Sequence, residues 1–394
     1  MIRKVLRSPV MWCLTVLLAV VMAAPAAQAS SARPVATAGR HSGITRTHRR
    51  TPVRSAVRRC RTIRVPVTIP QTKPGQITGD LCVPATGHST TALLLVAGGG
   101  ENADYWNMPA LPSYSLVDTA TAAGYTTFAI DRLGTGRSTL PASSTLVTYA
   151  AQVATVHQVA EALRDDSSVF GRTWRTVVGV GHSLGSGTLA GVAAQYPRDL
   201  NAMILTGYGA TVSSETLQLD TLYQLPARTV DPAKWGHLDP GYVTVVPSGV
   251  LQAGSLYPPA TTPLALAVAQ RTQGTLSTTE LSTRPQGAAA TAQAAEIKTP
   301  LLVADGQYDR HYCEDNAIGA PVTLAPACTS QHAFYSYERQ LLSNACLATS
   351  LVPDSGHAIE LQTAAPEANR TFVAWLEATL PSGSARCAVS GIDR

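Results

Sequence analysis

A chain of 394 residues is long enough to form one large domain with insertions and a substantial core. Apolar residues make up 45% of it and charged residues 14%, with 30 glycines and 26 prolines, a composition that excludes a fibrous or wholly disordered protein. The net charge of +5 comes from the first 59 residues, which hold 11 of the 30 basic residues and no acidic one; the remainder carries 19 basic against 25 acidic residues, which argues against nucleic-acid binding as the main function.

The N-terminus has the pattern of a secretory signal peptide. Three basic residues within the first seven positions precede an apolar run at 10–22, and Ala-Gln-Ala at 27–29 supplies the small residues of a cleavage site. The apolar run is shorter than the ~20 residues that a membrane-spanning helix needs. The pattern predicts that residues 1–29 are removed, that the mature protein is secreted, and that it has no stable membrane span.

Residues 30–59 form a basic leader. Eight arginines stand there among Ser, Thr, Ala and Pro without a single acidic residue. Such a segment buries too little apolar surface to offset the entropy lost on ordering, so we predict that it is disordered. A solvated spacer or propeptide is the favoured interpretation. Binding to an anionic cell surface, to nucleic acid or to an acidic face of the same protein is the alternative.

Six cysteines follow the predicted signal peptide, namely Cys60, Cys82, Cys313, Cys328, Cys346 and Cys387. An even number in an exported chain indicates disulfides instead of free thiols, although six cysteines allow 15 pairings. Pairing neighbours along the chain predicts the disulfides Cys60–Cys82, Cys313–Cys328 and Cys346–Cys387. No His and Cys residues have the spacing of a zinc site, so we expect no metal.

From residue 60 onward, short apolar runs alternate with helical stretches. Strands are predicted at 61–70, 76–84, 92–97, 126–130, 176–180, 202–205, 300–304 and 346–352, and helices at 113–123, 148–164, 184–195 and 365–379. The first two strands form a hairpin with Pro-Gly at its turn. This alternation predicts an α/β fold with a mostly parallel central sheet and helices on both faces.

A long segment at about 211–296 interrupts the alternation between two predicted strands. It is rich in Thr, Ala, Gln and Pro. About 86 residues are too many for an ordinary connection. We therefore predict a cap inserted over the carboxyl edge of the sheet, within a single domain that spans residues 60–394.

The segment Gly181-His182-Ser183-Leu184-Gly185 fits the pattern Gly-x-Ser-x-Gly. An apolar predicted strand precedes it and a helix of small residues follows, as a strand-to-helix elbow requires. In such an elbow the serine has strained backbone angles and its hydroxyl lies at a helix N-terminus, which favours developing negative charge. An incidental serine at a glycine-rich helix start is the alternative.

With this elbow the sequence resembles the α/β-hydrolase superfamily, and its secreted bacterial esterases and lipases in particular. The segment from Asp131 to Ser138 is similar to the family's Asp-x-x-Gly-x-Gly-x-Ser turn. The resemblance extends from Cys60 to about residue 385. It implies the α/β-hydrolase fold and a catalytic triad whose members follow in the order nucleophile, acid, histidine.

The resemblance implies His357 as the base that activates Ser183, because Asp-Ser-Gly-His follows the last predicted strand at the family's Gly-His position. Three other histidines fit less well. His182 lies directly beside the nucleophile, and His311 and His332 do not follow the final strand.

Asp309 is the implied acid of the triad. It ends the segment Gly-Gln-Tyr-Asp after the strand at 300–304, similar to the family's Gly-x-x-Asp. Its carboxylate would hold the imidazole in the required tautomer. Asp305 is the main alternative, and Glu314 and Asp315 are more remote ones.

Two backbone N–H groups are needed to bind the oxyanion. One is expected at Leu184, and the other at Gly99 or next at Gly100, in a glycine loop similar to the family's His-Gly loop but with Ala97 in place of the histidine. The following residues Tyr105 and Trp106 are candidates to line the acyl pocket, or are ordinary packing residues.

The resemblance implies a secreted serine hydrolase that cleaves small-molecule carboxylic esters through an acyl-enzyme and needs no cofactor. An exported aminopeptidase or amidase is the first alternative, with Glu101, Asp104 or acidic residues of the cap available to bind an amine. An acyltransferase is the second. A non-catalytic binding module is disfavoured, since all three triad positions are occupied.

Overall fold

A computed structural model describes residues 58–85, 89–213, 224–245, 255–313 and 328–380. The predicted signal peptide, nearly all of the basic leader, Cys387 and the two remote acid candidates Glu314 and Asp315 lie outside these residues, so those predictions stay predictions. None of the helices within the described ranges combines the length and the apolar character needed to cross a membrane.

The central sheet has eight strands, all but the first two formed by buried apolar runs. They are β1 (Arg59–Val67), β2 (Gly75–Val83), β3 (Thr91–Val96), β4 (Thr126–Ile130), β5 (Thr176–His182), β6 (Ala202–Thr206), β10 (Leu301–Gly306) and β11 (Leu347–Val352). Their order across the sheet is β1-β2-β4-β3-β5-β6-β10-β11. The pairs β1–β2 and β2–β4 are antiparallel and all the others are parallel, which confirms the predicted mostly parallel sheet.

Helices cover both faces of this sheet. The larger ones are α1 (Leu116–Ala122), α2 (Tyr149–Asp165), α4 (Leu184–Gln195), α10 (Gln331–Leu341) and α11 (Ala365–Thr379), and a short α3 (Ser167–Phe170) follows α2. In β3, Leu94 packs into one buried cluster with α2 and α4, and its neighbour Leu95 into another with α1 and α11. Successive strand residues point to opposite faces, so the two clusters are the two covered faces of the sheet.

Between β6 and β10 lies the region that we call the insert, the described residues of 211–296. It contains a small antiparallel sheet of β7 (Gln224–Pro226), β8 (Tyr242–Val245) and β9 (Leu276–Ser277). Its helices are α5 (Ala227–Val230), α6 (Pro232–Trp235), α7 (Pro263–Arg271), α8 (Thr278–Thr283) and α9 (Ala288–Glu296). Residues of α7, α9 and β9 line the cavities described below, which places the insert beside the carboxyl ends of the parallel strands.

Strand β1 forms one edge of the sheet and pairs only with β2 among the described strands. Its exposed positions include Arg59, Arg61, Arg64 and Pro66. A disulfide joins Cys60 to Cys82, the residue opposite it in β2, and matches the predicted pairing.

A second disulfide joins Cys313 to Cys328 and also matches the prediction. Cys346 is disulfide-bonded too, while its predicted partner Cys387 lies outside the described residues.

Candidate active site

Ser183 lies at the sharp turn between β5 and α4. Its backbone has φ +50° and ψ −118°, a conformation that non-glycine residues rarely adopt. The turn is possible because its flanking glycines lie against backbone: a Cβ on Gly181 would be 2.6 Å from the Cα of Ser186, and one on Gly185 would be 2.2 Å from the carbonyl oxygen of Val96. The motif therefore forms the strand-to-helix elbow that its sequence predicts.

The elbow presents the Ser183 hydroxyl at the N-terminus of α4, a 12-residue helix. The side chain does not cap this helix, and Ser183 lines a cavity that also contains His357. The Ser183 N–H donates to the carbonyl of Thr206 at 3.0 Å, which ties the turn to the end of β6. The hydroxyl is thus available for chemistry in a region where the helix dipole favours negative charge.

His357 follows β11 and forms a buried pair with Asp309. The distance from His357 Nδ1 to Asp309 Oδ2 is 2.7 Å, and both residues are at most 5% exposed. The other carboxylate oxygen accepts the N–H groups of His311 at 2.6 Å and Tyr312 at 3.3 Å. Burial alone would raise the pKa of Asp309, but the charge of His357 and its hydrogen bond hold that pKa well below its usual range. Asp309 is therefore an anion that orients the imidazole.

The alternative acid, Asp305, is fully buried beside Asp309 and has the opposite character. It accepts the N–H of Gly306 at 2.9 Å. Burial and the negative charge of Asp309 raise the pKa of Asp305 well above its usual range. The structure thus brings Asp309 to His357, with a neutral Asp305 behind it.

Two histidines pack against the imidazole of His357. The ring centroids of His311 and His182 lie 4.3 Å and 4.8 Å from that of His357, and Tyr105 stacks on His182 at 4.6 Å. Burial and the proximity of His357 lower the pKa of His311 to about 3 and that of His182 well below its usual range. Both neighbours are therefore neutral, so a positive charge formed on His357 faces the carboxylate of Asp309.

The loop that carries His357 is held by a buried glutamine. The side-chain oxygen of Gln362 accepts the N–H of Gly356 at 3.1 Å and the N–H of Tyr257, a residue of the insert, at 3.0 Å. The N–H of Ala358 donates to the carbonyl of Ser255 at 2.9 Å. The insert therefore holds the loop that carries His357 on one side.

The glycine loop after β3 lies directly against the elbow. A Cβ on Gly98 would be 3.1 Å from the Cβ of Ser183, and one on Gly99 would be 2.7 Å from a methyl carbon of Leu184. Gly99 and Gly100 line the same cavity as Ser183. Leu184, Gly99 and Gly100, the residues predicted to supply the two oxyanion donors, thus line one cavity with Ser183.

A buried arginine fixes the orientation of this loop. Arg132 Nη2 donates to the carbonyl of Gly98 at 3.1 Å, while the Gly98 N–H donates to Glu101 at 2.9 Å. In a trans peptide the carbonyl and the following N–H point in opposite directions. The bond to Arg132 therefore sets the direction of the Gly99 N–H, the expected oxyanion donor.

Arg132 is in turn paired with the insert. It forms an ion pair with Glu280 of α8, and each side chain is 1% exposed. Gln152 of α2 donates to the second oxygen of Glu280 at 3.0 Å. The insert also contacts the loop directly, since the Gly274 N–H donates to the carbonyl of Gly100 at 2.9 Å. No sequence pattern predicts a role for Glu280. Arg132 lies in the Asp-x-x-Gly turn, which is the one signal that could have pointed to it.

Glu101 and Tyr105 complete this side of the site, and both line the cavity of Ser183. Burial raises the pKa of Glu101 to about 7 despite the hydrogen bond from Gly98. Trp106, the other candidate for the acyl pocket, is fully buried and packs edge-on against Tyr105 in a core cluster. It is not among the described residues that line either cavity, so the structure places Trp106 in the core instead of the acyl pocket.

Two cavities meet at the elbow. One has a volume of about 100 Å³ and the other of about 340 Å³, and Ser183 and Leu184 line both. Within the described ranges, no three His, Cys, Asp or Glu side chains come together as metal ligands. The arrangement places a serine hydroxyl and a histidine paired with a carboxylate in one cavity that Gly99, Gly100 and Leu184 also line. These are residue types needed for acyl transfer through a covalent intermediate.

Residues 93–369 match the sequence model of a family described as the alpha/beta hydrolase family. Similar solved structures include an esterase from Thermogutta terrifontis (14% identity, TM-score 0.52, covering 80% of this chain and 98% of the other) and an esterase from Exiguobacterium antarcticum (13%, 0.52, 79% and 99%). A bromoperoxidase from Bacillus anthracis is also similar (16%, 0.50, 80% and 99%). No curated protein sequence matches significantly. At these identities the structural likeness shows the fold alone.

Proposed function

Because the chain belongs to the alpha/beta hydrolase family, we propose that it is a secreted serine hydrolase that cleaves carboxylic esters, with Ser183, His357 and Asp309 as its triad. One observation carries the proposal: the strained elbow presents Ser183 in a cavity that it shares with a histidine paired to a buried carboxylate at 2.7 Å. A solvated serine hydroxyl is a poor nucleophile, and this pair is the base that activates it.

In the first half of the reaction, Ser183 Oγ attacks the ester carbonyl carbon and its proton passes to Nε2 of His357. The carbonyl oxygen becomes an oxyanion that accepts hydrogen bonds from the N–H groups of Leu184 and Gly99, with Gly100 next to them. Removing one such donor from a serine hydrolase lowers kcat by about 10²–10³. The intermediate collapses when the C–O bond breaks and His357 returns its proton to the leaving alcohol.

In the second half, water attacks the acyl-enzyme and gives its proton to His357. The acid leaves as His357 reprotonates Ser183. Asp309 stays ionised throughout and stabilises the imidazolium in each half. These steps use only side chains and backbone groups of the chain, so the proposal includes no cofactor.

An ester substrate fits the site better than a peptide amine. Glu101 accepts the Gly98 N–H and its pKa is raised to about 7 by burial, which weakens it as a fixed negative charge for an ammonium group. Asp104 is exposed and is not among the described residues that line the two cavities. Glu101 and Asp104, the two acidic residues named for amine binding outside the cap, are therefore poorly suited to it.

Secretion is part of the same proposal. The disulfides Cys60–Cys82 and Cys313–Cys328 support an oxidising compartment, because such bonds are rare in the cytosol. We propose residues 1–29 as the cleaved signal peptide, 30–59 as a basic leader, and about 211–296 as a cap on a domain that spans 60–394.

The test is covalent labelling combined with turnover. We expect a fluorophosphonate to label the wild-type protein, and the protein to hydrolyse p-nitrophenyl butyrate faster than alanine p-nitroanilide. Ser183→Ala should abolish labelling and lower kcat by at least about 10⁴.

Ser186→Ala is the matched control, because Ser186 lies one turn further along α4 and its hydroxyl donates to the Thr206 carbonyl at 2.9 Å. It should still be labelled. Equal labelling of Ser183→Ala and the wild type would exclude Ser183 as the nucleophile, and faster anilide turnover would replace the esterase proposal with an amidase.

A further inference from the structure

The two cavities at Ser183 differ in their relation to the triad. The smaller, of about 100 Å³, is lined by His357 and Gly99 as well as by Ser183 and Leu184. The larger, of about 340 Å³, is lined by Ser183 and Leu184, but His357 is not among its described lining residues. His357 and the glycine loop thus line the smaller cavity, and among the described residues neither lines the larger one.

This difference decides where each half of an ester binds. In the tetrahedral intermediate, the oxygen of the leaving alcohol must lie within hydrogen-bond reach of His357, because it takes its proton from that residue. The alcohol therefore extends into the cavity that His357 lines. The oxyanion is directed to the N–H groups of Leu184 and Gly99, so the acyl chain is the substituent left for the larger cavity.

The larger cavity also has the surface that an acyl chain needs. Three of its hydroxyl groups are bonded within the protein: that of Tyr149 donates to the Gly187 carbonyl at 2.8 Å, that of Ser213 donates to the Arg310 carbonyl at 2.6 Å, and that of Thr211 pairs with the hydroxyl of Tyr337 at 3.0 Å. Its polar lining also includes Arg284, Gln286 and Gln293, of which Arg284 lines the smaller cavity as well. Much of the remaining lining is apolar and comes from Leu184, Tyr208, Ala210, Val212, Pro285 and Ala290. Such a surface gains free energy for each methylene group that it removes from water.

The smaller cavity is more polar. Glu101, Asn102 and Gln273 line it, beside the histidines at its base. Its volume is well below the roughly 300–1,000 Å³ of pockets for drug-sized ligands, whereas that of the larger cavity lies at the low end of this range.

We propose, on the basis of the serine hydrolase function proposed above, that the larger cavity binds the acyl chain and the smaller one the alcohol. The substrate is then an ester of a medium-length apolar acid with a small polar alcohol. For p-nitrophenyl esters, kcat/KM rises by up to about fourfold per methylene group while the chain fills the cavity, and falls again at palmitate.

Two alanines allow a matched test. Ala290 on α9 lines only the larger cavity and Ala269 on α7 only the smaller one, among the described residues, and both are half-buried helix residues. Ala290→Trp should lower kcat/KM for p-nitrophenyl octanoate at least tenfold and that for the acetate less than threefold. Ala290→Leu, a smaller change with high helix propensity, should give an intermediate selectivity if the tryptophan variant folds poorly.

Ala269→Trp should have the complementary effect. We expect it to lower kcat/KM for all p-nitrophenyl esters by one common factor. It should also change the order of hydrolysis rates along a series of methyl, phenyl and 2-naphthyl acetates. Thermal unfolding and labelling by a small fluorophosphonate verify that each variant is folded and has a reactive Ser183.

The outcomes separate the two proposals. If Ala290→Trp changes selectivity for the alcohol and Ala269→Trp that for the acyl chain, or if neither folded variant changes either selectivity, the cavity assignment is wrong while the serine hydrolase function stands. If the wild type is neither labelled at Ser183 nor active on any ester, the function itself fails.

Discussion

Asp305 and Asp309 are two fully buried carboxyl groups, four positions apart, whose pKa values are shifted in opposite directions. Asp309 faces His357 and two backbone N–H groups, each of which stabilises its negative charge. Asp305 accepts one N–H and faces the charge of Asp309. Two neighbouring buried carboxyl groups do not both carry a negative charge, because each charge disfavours the other. One carboxyl is therefore ionised and the other protonated.

The two aspartates should therefore respond differently to the same substitution. Asp309→Asn removes the charge that faces the imidazolium, and we expect kcat for p-nitrophenyl butyrate to fall by about 10⁴. Asp305→Asn replaces a neutral acid by a neutral amide of the same shape, and kcat should fall less than tenfold. Comparable losses in both variants would contradict the division of roles.

At the scale of elements, the pair of Arg132 and Glu280 connects the turn after β4 to α8 of the insert and, through the Gly98 carbonyl, to the glycine loop. Loss of one partner leaves the other as an unpaired charge in the protein interior. Such a loss typically lowers the free energy of unfolding by about 3–5 kcal/mol, whereas replacing both partners by apolar residues often leaves it unchanged.

This pair can be tested by separating stability from catalysis. Arg132→Met should lower the free energy of unfolding by about 3–5 kcal/mol and lower kcat by up to about 10², with little change in KM, because the Gly98 carbonyl loses its donor. The double variant Arg132→Met/Glu280→Leu should regain most of the stability but not kcat. Recovery of both together would indicate that Arg132 stabilises the fold without orienting the loop.

The parallel strands and the elbow could be predicted from sequence because their signals are local. A continuous apolar run such as that of β3, or five residues such as 181–185, contains the whole pattern. Arg132 and Glu280 are 148 positions apart, and no local pattern relates them. The ion pair between them exists only because the insert folds back onto the turn after β4.

Elements of the insert and its surroundings were missed for a related reason. Strands β7 and β9 have three and two residues, too few to display alternation. Helix α10 is not among the predicted helices because its sequence is largely polar, and of its 11 residues only Phe334 and Glu338 are buried. The position of Trp106 after the glycine loop allows either the acyl pocket or ordinary packing, and burial of its ring in the core decides for packing.

At the scale of the whole molecule, three glutamates affect stability, of which Glu338 and Glu360 are fully buried and Glu101 is partly exposed in the cavity. Burial raises the pKa of Glu101 and of Glu338 to about 7 and that of Glu360 to about 8, from a usual value of 4.5. One oxygen of Glu360 accepts a bond from Asn369 at 3.0 Å, and the other has no partner among the described residues. Between pH 4.5 and these raised values the folded protein holds more protons than the unfolded chain, so its stability falls as pH rises.

These glutamates contribute a decrease in Tm as the pH is raised from about 5 to about 8, since the unfolded chain ionises them and the folded protein resists doing so. The lowered pKa values of His182 and His311 contribute a change of the opposite sign below about pH 6.5, so the glutamate contribution is measured by comparing variants. Glu360→Gln should make this decrease smaller, because the amide keeps the bond to Asn369 and cannot ionise. Glu367→Gln, at an exposed position on α11, is the control and should leave the decrease unchanged. The measurement is the Tm of all three proteins at several pH values. Identical slopes of Tm against pH for Glu360→Gln and the wild type would rule out this glutamate as the cause.

Strand β1 has a consequence for how copies of the protein meet one another. An unpaired sheet edge is a template for adding a strand from a second molecule, which is a common route to aggregation. Here Arg59, Arg61 and Arg64 would be brought against the same arginines of a second copy, and Pro66 has no N–H to offer a new strand. The arginines and the proline of this edge therefore disfavour self-association at high concentration.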